Sequence, residues 1–454
     1  MAKSTIQYVC SSCGAKAPQL LGRCPVCGEW GTYEEEVVAA TPKRGVAPRS
    51  IGDTKPQRLQ DVVATEEMRI DMHNGELNRV LGGGLVPGSL VLLGGEPGIG
   101  KSTLALQVLM QLGERKTFYA SGEESVRQLK LRAERLAGDA QNLYISSETS
   151  LERILEQVKD LEPEVVVIDS IQTIGTEAIE ASIGSLSQVR ECAARILEFA
   201  KTRNIPFILI GHINKEGSLA GPKVLEHIVD TVLQFEGDQQ YIYRILRAQK
   251  NRFGSTAELG IYEMRQEGLR EVTNPSELLL STAREGLSGI AIAAAVEGVR
   301  PLLIEVQALV SSAAYGTPQR SSTGFDGRRL NMLLAVLEKR VGFKLLQKDV
   351  FVNIAGGLRV QDPAIDLAVL AAVLSSNMDL ALDASTCLCG EVGLAGEIRS
   401  VNRIEQRIAE AQKLGFKRII IPADHKIDTK RYQIEVVGVR KVTDAFRLLI
   451  KQNG

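Results

Sequence analysis

The feature that most constrains the fold is a glycine-rich loop between two apolar segments. The stretch "SLVLLGGEPGIGKSTLALQVLMQL" runs from a strand pattern through GxxxxGKS into apolar residues at helical spacing. That strand, loop and helix order is the context in which such a loop binds nucleotide phosphates. A plain glycine-rich turn is the alternative. The sequence therefore predicts an ATP site made of Gly95, Glu96, Pro97, Gly98, Ile99, Gly100, Lys101, Ser102 and Thr103.

The residue types of this loop suit phosphate and magnesium. Gly95, Gly98 and Gly100 let backbone N–H groups turn inward toward the phosphates. Lys101 is expected to reach the β and γ oxygens as a catalytic residue, and the Ser102 hydroxyl is expected to bind Mg²⁺.

Three further polar residues follow predicted strands. "EVVVIDS" ends in Asp169, which we expect to be a second Mg²⁺ ligand, although a helix cap is the alternative. "KTFYASGEES" carries Glu123 and Glu124, of which we favour Glu123 as the base that polarises the attacking water. "PFILIGH" ends in His212, a candidate sensor of hydrolysis or a structural histidine.

Four of the seven cysteines are close together in "CSSCGAKAPQLLGRCPVCG". Two CxxC pairs at this spacing suit tetrahedral coordination of zinc, whereas redox CxxC motifs come singly. We therefore predict a zinc site made of Cys10, Cys13, Cys24 and Cys27. The remaining cysteines lie in apolar stretches and are predicted to be core residues: Cys192, Cys387 and Cys389.

Length and composition predict several domains of an ordinary globular protein. The chain has 454 residues with 44% hydrophobic and 24% charged residues, and its net charge of −1 excludes a uniformly basic nucleic-acid binder. The apolar runs are too short to span a bilayer, and "MAKSTIQYVC" lacks the apolar segment of a secretory signal. We therefore expect a cytoplasmic protein without a membrane partner.

Alternating strand and helix patterns after the loop predict an α/β fold with a parallel sheet that ends in an antiparallel hairpin. Helices are expected near 150–161 and 182–203. The predicted domains are a zinc module (1–32), a linker (33–58) whose Pro, Gly and charged residues lack periodicity, an ATPase domain (59–272) and a C-terminal domain (273–454).

The alternating run "YIYRILRAQ" ends in "KNRFG", which places Lys250, Arg252 and Gly254 at a strand end. Together with the phosphate loop, "LNRVLGGGLVPGSL", "SGEES" and the four cysteines, this motif resembles the bacterial RadA (Sms) family, relatives of RecA and of the DnaB helicase. The resemblance covers essentially the whole chain. It implies a RecA-like ATPase core and a homohexameric, ATP-driven DNA helicase or translocase. Such a motor would promote branch migration in recombination and DNA repair, act on single-stranded and branched DNA, and work with RecA.

In RecA-like rings the nucleotide lies between subunits. The resemblance therefore implies that Lys250 and Arg252 are catalytic residues that reach a neighbour's γ-phosphate. A hairpin end with solvated cations is the alternative.

The last part of the chain resembles the α/β proteolytic domain of Lon. The similarity lies in "LRVQDPAIDLAVLAAVLSS" and "GEVGLAGEIRSVNRIEQRIAEAQKLGFKRIIIP". At the positions of that family's serine and lysine, this chain has Ala364 and Glu405, which cannot perform acyl transfer. Ser375 lies off the matching position. We therefore expect a scaffold that forms the ring or guides DNA, and no protease.

The candidate DNA contacts are basic residues in stretches rich in Gly, Ser, Thr or Pro: Lys215 and Lys223 after the His212 strand, and Arg320, Arg328 and Arg329 in "YGTPQRSSTGFDGRR". Ordinary solvated charge is the alternative for each. Two other functions stay open at this point. One is a protease regulator or chaperone, and the other is a RecA-like ATPase that switches protein partners without moving along DNA.

Overall fold

The computed structural model describes residues 4–10, 15–39, 58, 69–136, 138–212, 222–237, 243–281, 286–313, 318–357 and 359–450. The chain divides into two compact units, Met1–Val272 and Thr273–Gly454. Within the described residues, no helix combines the length and the apolar character needed to cross a membrane.

The first element of unit 1 is a small antiparallel sheet. Its strands are β1 (Ser4–Cys10), β2 (Lys16–Ala17) and β3 (Tyr33–Ala39), in the order β2-β1-β3. Strand β3 pairs with β1 along its whole length. The predicted linker therefore needs correction, because its first seven residues form a strand. Backbone pairing to a partner strand has overridden a sequence that lacks a strand-like pattern. Of the rest of that linker the structure describes Arg58 alone.

The core of unit 1 is a nine-stranded sheet. Its order is β12-β11-β10-β9-β4-β8-β7-β5-β6. The six strands from β9 through β4 to β6 are parallel to one another, and β10, β11 and β12 extend the sheet by antiparallel pairing next to β9. The strands are β4 (Leu90–Gly95), β5 (Thr117–Ser121), β6 (Leu143–Ser147), β7 (Val165–Asp169), β8 (Phe207–His212), β9 (Thr231–Glu236), β10 (Tyr243–Asn251), β11 (Leu259–Arg265) and β12 (Gly268–Glu271).

Helices flank this sheet. They are α1 (Gly75–Leu81), α2 (Lys101–Gln111), α3 (Val126–Ala133), α4 (Leu151–Leu161), α5 (Leu186–Arg203) and α6 (Pro222–Ile228). Helix α4 buries Leu151, Ile154 and Val158 on one face, as its apolar spacing predicts. Helix α5 begins four residues later than predicted, because the Ser185 side chain caps it by accepting from the Gln188 N–H.

Strand β4 is central to the sheet, and all six of its residues are buried. Leu90 and Leu92 belong to one apolar core cluster, and Val91 and Leu93 belong to another. Successive side chains of a strand point to opposite faces. The continuous apolar run of β4 is therefore that of a parallel strand covered on both faces.

Unit 2 contains a seven-stranded mixed sheet and a two-stranded ribbon. The sheet order is β15-β16-β14-β13-β17-β20-β21, and β18 pairs with β19. The strands are β13 (Ile290–Glu297), β14 (Arg300–Ser312), β15 (Arg320–Thr323), β16 (Lys348–Ile354), β17 (Thr386–Leu388), β18 (Glu391–Val392), β19 (Ile398–Arg399), β20 (Arg418–Pro422) and β21 (Glu435–Val439). The helices are α7 (Pro275–Leu279), α8 (Gly327–Val336), α9 (Asp366–Met378), α10 (Ile404–Lys413) and α11 (Val442–Ile450).

The two positions that correspond to the protease pair differ in exposure. Ala364 is 0% exposed and belongs to an apolar cluster, whereas Glu405 lies on the exposed side of α10. Ser375 lies in the last turn of α9, where its hydroxyl accepts from the Gly289 N–H and donates to the Leu380 carbonyl. Both contacts of the Ser375 hydroxyl are thus to backbone groups, and they hold the end of α9. That this unit is not a protease stays an expectation.

A buried ion pair lies beside Ala364. The guanidinium of Arg407, 0% exposed, donates to the Asp362 carboxylate at 2.6 Å and to the Ala294 carbonyl at 2.7 Å. Asp362 also accepts from the Ala364 and Val296 N–H groups. This network ties α10 to strand β13 and to the turn that precedes α9.

The Arg407 pair yields a stability prediction. Arg407→Ala should destabilise the chain by about 3–5 kcal/mol, because it leaves the Asp362 charge buried without its partner. Arg399→Ala removes an exposed pair with Glu397 and should cost less than about 1 kcal/mol. Calorimetric unfolding of the full chain would measure both. Equal unfolding temperatures for the two variants would contradict the structural role of Arg407.

Candidate functional site

The predicted phosphate loop connects β4 to α2 at the carboxyl edge of the parallel sheet. Gly98 and Gly100 have φ angles of 76° and 114°, which side chains rarely adopt. A Cβ at Gly100 would also lie 2.7 Å from the Met264 methyl carbon. The loop therefore depends on glycine here for both conformation and space. It leads directly into the N-terminus of α2, where backbone N–H groups and the helix dipole favour anions.

Lys101 is held against the loop backbone. Its ammonium donates to the Gly95 carbonyl at 2.8 Å and to the Glu96 carbonyl at 2.9 Å. Burial lowers the pKa of Lys101 to about 8, against the opposing attraction of Asp169, Glu123 and Glu96. The lysine charge is thus fixed within the curve of the loop, where the phosphates of a nucleotide would lie.

Asp169 ends β7 two strands away from β4. It is 4% exposed, and its Oδ2 accepts from the Tyr119 hydroxyl of β5 at 2.5 Å. Burial, followed by the charge of Asp169, raises the pKa of Tyr119 well above its usual value, so the hydroxyl keeps its proton and donates. Tyr119 was not among the residues predicted from the sequence. Because side chains alternate along β5, Tyr119 lies on the same face as Ser121, which pairs with Asp169. This placement could be predicted only if the register between β5 and β7 were known.

The two neighbouring glutamates have different partners. Glu123 lies beside His212, with 3.1 Å between its Oε1 and the His212 Nε2. Glu124 pairs with Arg132 on α3 at 2.6 Å. Strand β8 lies next to β4, so Glu123 and His212 lie at the edge of the sheet that carries the loop. Glu124 is thus paired with a residue of helix α3, which does not belong to the phosphate loop, and Glu123 stays the candidate base.

Several buried polar atoms at this edge have no hydrogen-bond partner within the described part of the chain. They are Asp169 Oδ1, Ser170 Oγ, Gln172 Oε1 and His212 Nδ1. Buried polar atoms are normally paired, so their clustering at one edge fits a polar ligand. A carboxylate and the Ser102 hydroxyl are oxygen donors of the type that Mg²⁺ prefers. The residues present therefore fit a magnesium nucleotide. Ser170 and Gln172 were not among the predicted residues, because polar residues after a strand are too common to single out.

Lys250 and Arg252 lie at the other edge of the same sheet. The last residue of β10 pairs with the first residue of β9, which in turn pairs with Val91 near the start of β4. The loop, in contrast, follows Gly95 at the end of β4. The structure does not bring the two cations together with their own chain's phosphate loop.

Each of these cations is held by local contacts. Lys250 donates to the Glu226 and Val229 carbonyls at 2.6 and 2.7 Å. Arg252 lies 3.4 Å from Asp230, a buried carboxylate that also accepts from Lys201 and from the Leu90 N–H. The side chain of Arg252 remains 56% exposed.

Three of the predicted zinc ligands lie close together. The Sγ atoms of Cys10, Cys24 and Cys27 are all within 4.8 Å of one another, and those of Cys10 and Cys27 are 3.7 Å apart. Tetrahedral zinc with sulfur ligands at its usual bond length places neighbouring sulfur atoms about 3.8 Å apart. The described thiols therefore fit a zinc ion. The fourth predicted ligand, Cys13, lies outside the described residues. As predicted, the other three cysteines are buried: Cys192, Cys387 and Cys389.

The candidate DNA contacts have different surroundings. Lys215 lies outside the described residues, and so does the Lys223 side chain. Despite the Gly-, Ser- and Thr-rich sequence around them, these three arginines lie in regular elements: Arg320 is in β15, and Arg328 and Arg329 are in α8. Arg329 binds the fully buried Asp366 through two nitrogens and is 26% exposed. Its geometry is that of an internal ion pair, whereas Arg320 and Arg328 are exposed.

Three family models match parts of the chain. Residues 54–218 match an AAA domain, residues 8–35 match a rubredoxin metal binding domain, and residues 325–425 match subunit ChlI of Mg-chelatase. A KaiC-like protein of known structure from Pyrococcus horikoshii is 21% identical, covers 45% of this chain and 98% of its own, and has a TM-score of 0.38.

Two proteins called DNA repair protein RadA are similar over nearly the whole length. The one from Bacillus subtilis is 50% identical over 454 residues, which is 98% of this chain and 99% of that protein. The one from Listeria monocytogenes is 48% identical over 449 residues, which is 98% of each.

The phosphate loop, the sheet order and the domain matches define the class, which is an α/β ATPase with a RecA-like P-loop core. An N-terminal zinc ribbon and a C-terminal ChlI/Lon-like domain complete the predicted fold class, which is confirmed. At this identity over nearly the full length, the chain belongs to the RadA family of DNA repair proteins, so the resemblance seen in the sequence is confirmed as well.

The folding of the zinc ribbon can be followed by the fluorescence of the single tryptophan. Trp30 is the only tryptophan of the chain and lies within the ribbon, so its fluorescence follows this module alone. Purified protein should contain one zinc per chain. Trp30 is 75% exposed but stacks with Arg23, so a chelator should lower its fluorescence anisotropy while the circular dichroism of the whole chain changes little, since metal binding and folding are coupled in so small a module.

Variants separate this outcome from a general effect of cysteine loss. Cys24→Ser should lower the zinc content, whereas Cys192→Ser, a buried cysteine of the ATPase core, should leave it at one per chain. Metal analysis of freshly purified protein would give the stoichiometry. A purified chain without bound zinc would contradict the site.

Proposed function

We propose that this chain forms a homohexameric ring that hydrolyses ATP to move along DNA and promotes branch migration of recombination intermediates during repair, acting with RecA. The observation that carries the proposal is the position of Lys250 and Arg252. Two cations that lie away from their own phosphate loop fit a nucleotide that is shared between neighbouring chains.

The sheet separates the cations from their own nucleotide site. Between Val91, at the level of the cations, and Gly95, which begins the loop, β4 rises about 13 Å at the usual rise per residue. Lys250 is also directed to one carbonyl in the last turn of α6 and to the carbonyl that follows this helix. A nucleotide bound at the loop of the same chain is therefore out of reach of Lys250 and Arg252. By the family resemblance, the anion that these cations contact is the γ-phosphate of a nucleotide bound to a neighbouring chain.

Local contacts organise this corner for such a role. Asp230 holds Arg252 and Lys201, while the Arg69 guanidinium donates to the Phe253 carbonyl at 2.6 Å and to the Leu81 carbonyl at 3.1 Å. The Arg252 guanidinium is held at Nη1 by Asp230 and remains 56% exposed. Its other nitrogens can therefore stabilise charge in a transition state with little ordering cost.

Within the site we assign each residue one task. Lys101 would neutralise the β and γ oxygens, Glu123 would polarise the attacking water, and His212 beside it would respond to the γ-phosphate. Ser102 and Asp169 would hold Mg²⁺, which supplies charge neutralisation when it is bound. Gly95, Glu96, Pro97, Gly98, Ile99, Gly100 and Thr103 would complete the nucleotide cradle.

The DNA part of the proposal rests on the family name and on exposed cations. Both relatives are called DNA repair proteins. Arg320 and Arg328 are exposed on adjacent elements of unit 2 and would contact the phosphate backbone of single-stranded or branched DNA. Lys215 and Lys223 would do so from the segment that follows β8.

The shared site predicts complementation between two inactive variants. Lys101→Ala and Arg252→Ala should each lose most hydrolysis when tested alone, because every interface then lacks one component. Mixing them should restore part of the activity, since some interfaces in a mixed ring have an intact loop facing an intact Arg252. ATP turnover against the mixing ratio is the measurement.

Arg203→Ala is the matched control. Arg203 is an exposed arginine of the same unit that stacks on Phe199, and its removal should leave turnover unchanged. Strong hydrolysis by Arg252→Ala alone would count against the shared site.

The motor function predicts coupled DNA effects. DNA should stimulate ATP hydrolysis, and ATP should drive strand separation on a forked substrate. Replacing Arg320 and Arg328 together with alanine should weaken DNA binding several-fold and lower the log-log salt slope by about 0.7 for each phosphate that is no longer bound. Arg431→Ala, 76% exposed in the same unit, should change neither. An ATP hydrolysis rate that does not change when DNA is added would contradict the motor function and favour an ATPase that switches protein partners.

A further inference from the structure

We propose that Tyr119 is a positioning residue that fixes the Asp169 carboxylate so that its second oxygen faces the magnesium nucleotide. The inference rests on the proposed role of Asp169 as a Mg²⁺ ligand. It assigns a function to a residue that carries no charge, lies outside the phosphate loop and belongs to no motif.

The strand register brings the two side chains together. Tyr119 pairs with Val167 across β5 and β7, two residues before Asp169, so the tyrosine and the aspartate lie on the same face of the sheet. The Tyr119 hydroxyl donates to Asp169 Oδ2 at 2.5 Å. Both residues are buried, at 0% and 4% exposure, so water does not compete for this bond.

The two carboxylate oxygens of Asp169 have different surroundings. Oδ2 has its donor in Tyr119, whereas Oδ1 is buried without a hydrogen-bond partner in the described part of the chain. A carboxylate fixed through one oxygen cannot rotate freely about its last bond. The oxygen without a partner is therefore the one presented at the sheet edge, where Ser102 lies in the first turn of α2.

Packing alone does not account for the hydroxyl. Tyr119 lies in an apolar cluster with Leu106, Met110 and Val167, where phenylalanine would fill the same space. Burying a hydroxyl is unfavourable unless it forms a hydrogen bond. Its bond to Asp169 is thus the reason for tyrosine at this position.

The test measures magnesium dependence and not activity alone. Binding of a fluorescent ATP analogue would be followed during a Mg²⁺ titration of the full-length protein. Tyr119→Phe should need about ten times more Mg²⁺ for half-maximal binding, since loss of a partner of a metal ligand costs about 10–100-fold in metal affinity. Nucleotide binding in excess chelator should match the unaltered protein.

Tyr262→Phe is the matched control. Tyr262 is likewise 0% exposed in the same unit, and its hydroxyl donates to Asn74 at 2.8 Å. Its removal should lower stability as much as Tyr119→Phe and leave the Mg²⁺ titration unchanged. In an Asp169→Asn background, Tyr119→Phe should add no further shift, because its effect runs through that carboxylate.

The outcomes separate the inference from the proposed function. A Tyr119→Phe titration equal to that of the unaltered protein overturns the inference and leaves the proposed function in place, and an equal shift in Tyr262→Phe also overturns it. If nucleotide binding by the unaltered protein does not depend on Mg²⁺, the proposed role of Asp169 as a metal ligand is wrong, and the inference is wrong with it. If Tyr119→Phe does not fold, difluorotyrosine at 119 keeps the shape and alters the hydrogen bond, and an unshifted titration then refutes the inference.

Discussion

The arrangement of unit 1 depends on the burial of β4 between two apolar layers. Leu90 and Leu92 point to one layer, and Val91 and Leu93 point to the other, so the strand cannot shift by one residue without exchanging its faces. Because β4 is fixed, both of its ends are fixed. One end continues into the phosphate loop, and the other lies level with the Lys250 and Arg252 corner. A single strand thus sets the separation between the two groups that the proposed shared site requires.

Two buried aspartates of this unit differ in a way that distinguishes structure from function. Asp230 accepts from Lys201, Arg252 and the Leu90 N–H, so its charge is balanced within the chain. Asp169 has one donor in Tyr119 and an oxygen without a partner in the described residues. A buried carboxylate that is only half satisfied is costly unless something else binds it. The difference in partners therefore supports the proposed ligand-binding role of Asp169 and gives no such support for Asp230.

Sequence patterns predicted much of this fold because the relevant signals are local. The phosphate loop, the strand that ends in Asp169 and the cysteine pairs are each contained within a short stretch. Strand β3 was assigned to a linker, because its pairing with β1 depends on a partner more than twenty residues away. Arg329 was predicted to contact DNA for the same reason, since its partner Asp366 is distant in sequence. Tyr119 could not be identified without the register of β5 and β7, although the tyrosine itself is visible.

Of the two positions in unit 2 that correspond to the serine and lysine of Lon, Ala364 belongs to the core and Glu405 is exposed on α10. Ala364 is fully buried, and the neighbouring space is occupied by the Arg407 and Asp362 pair, which also binds the backbone of β13. A serine introduced at 364 would therefore have its hydroxyl among apolar side chains, with an arginine and not a neutral amine nearby. An arginine stays protonated in proteins and cannot act as the base of such a pair. The packing around Ala364 is thus a further reason, besides the two substitutions, to expect no proteolytic chemistry in this unit.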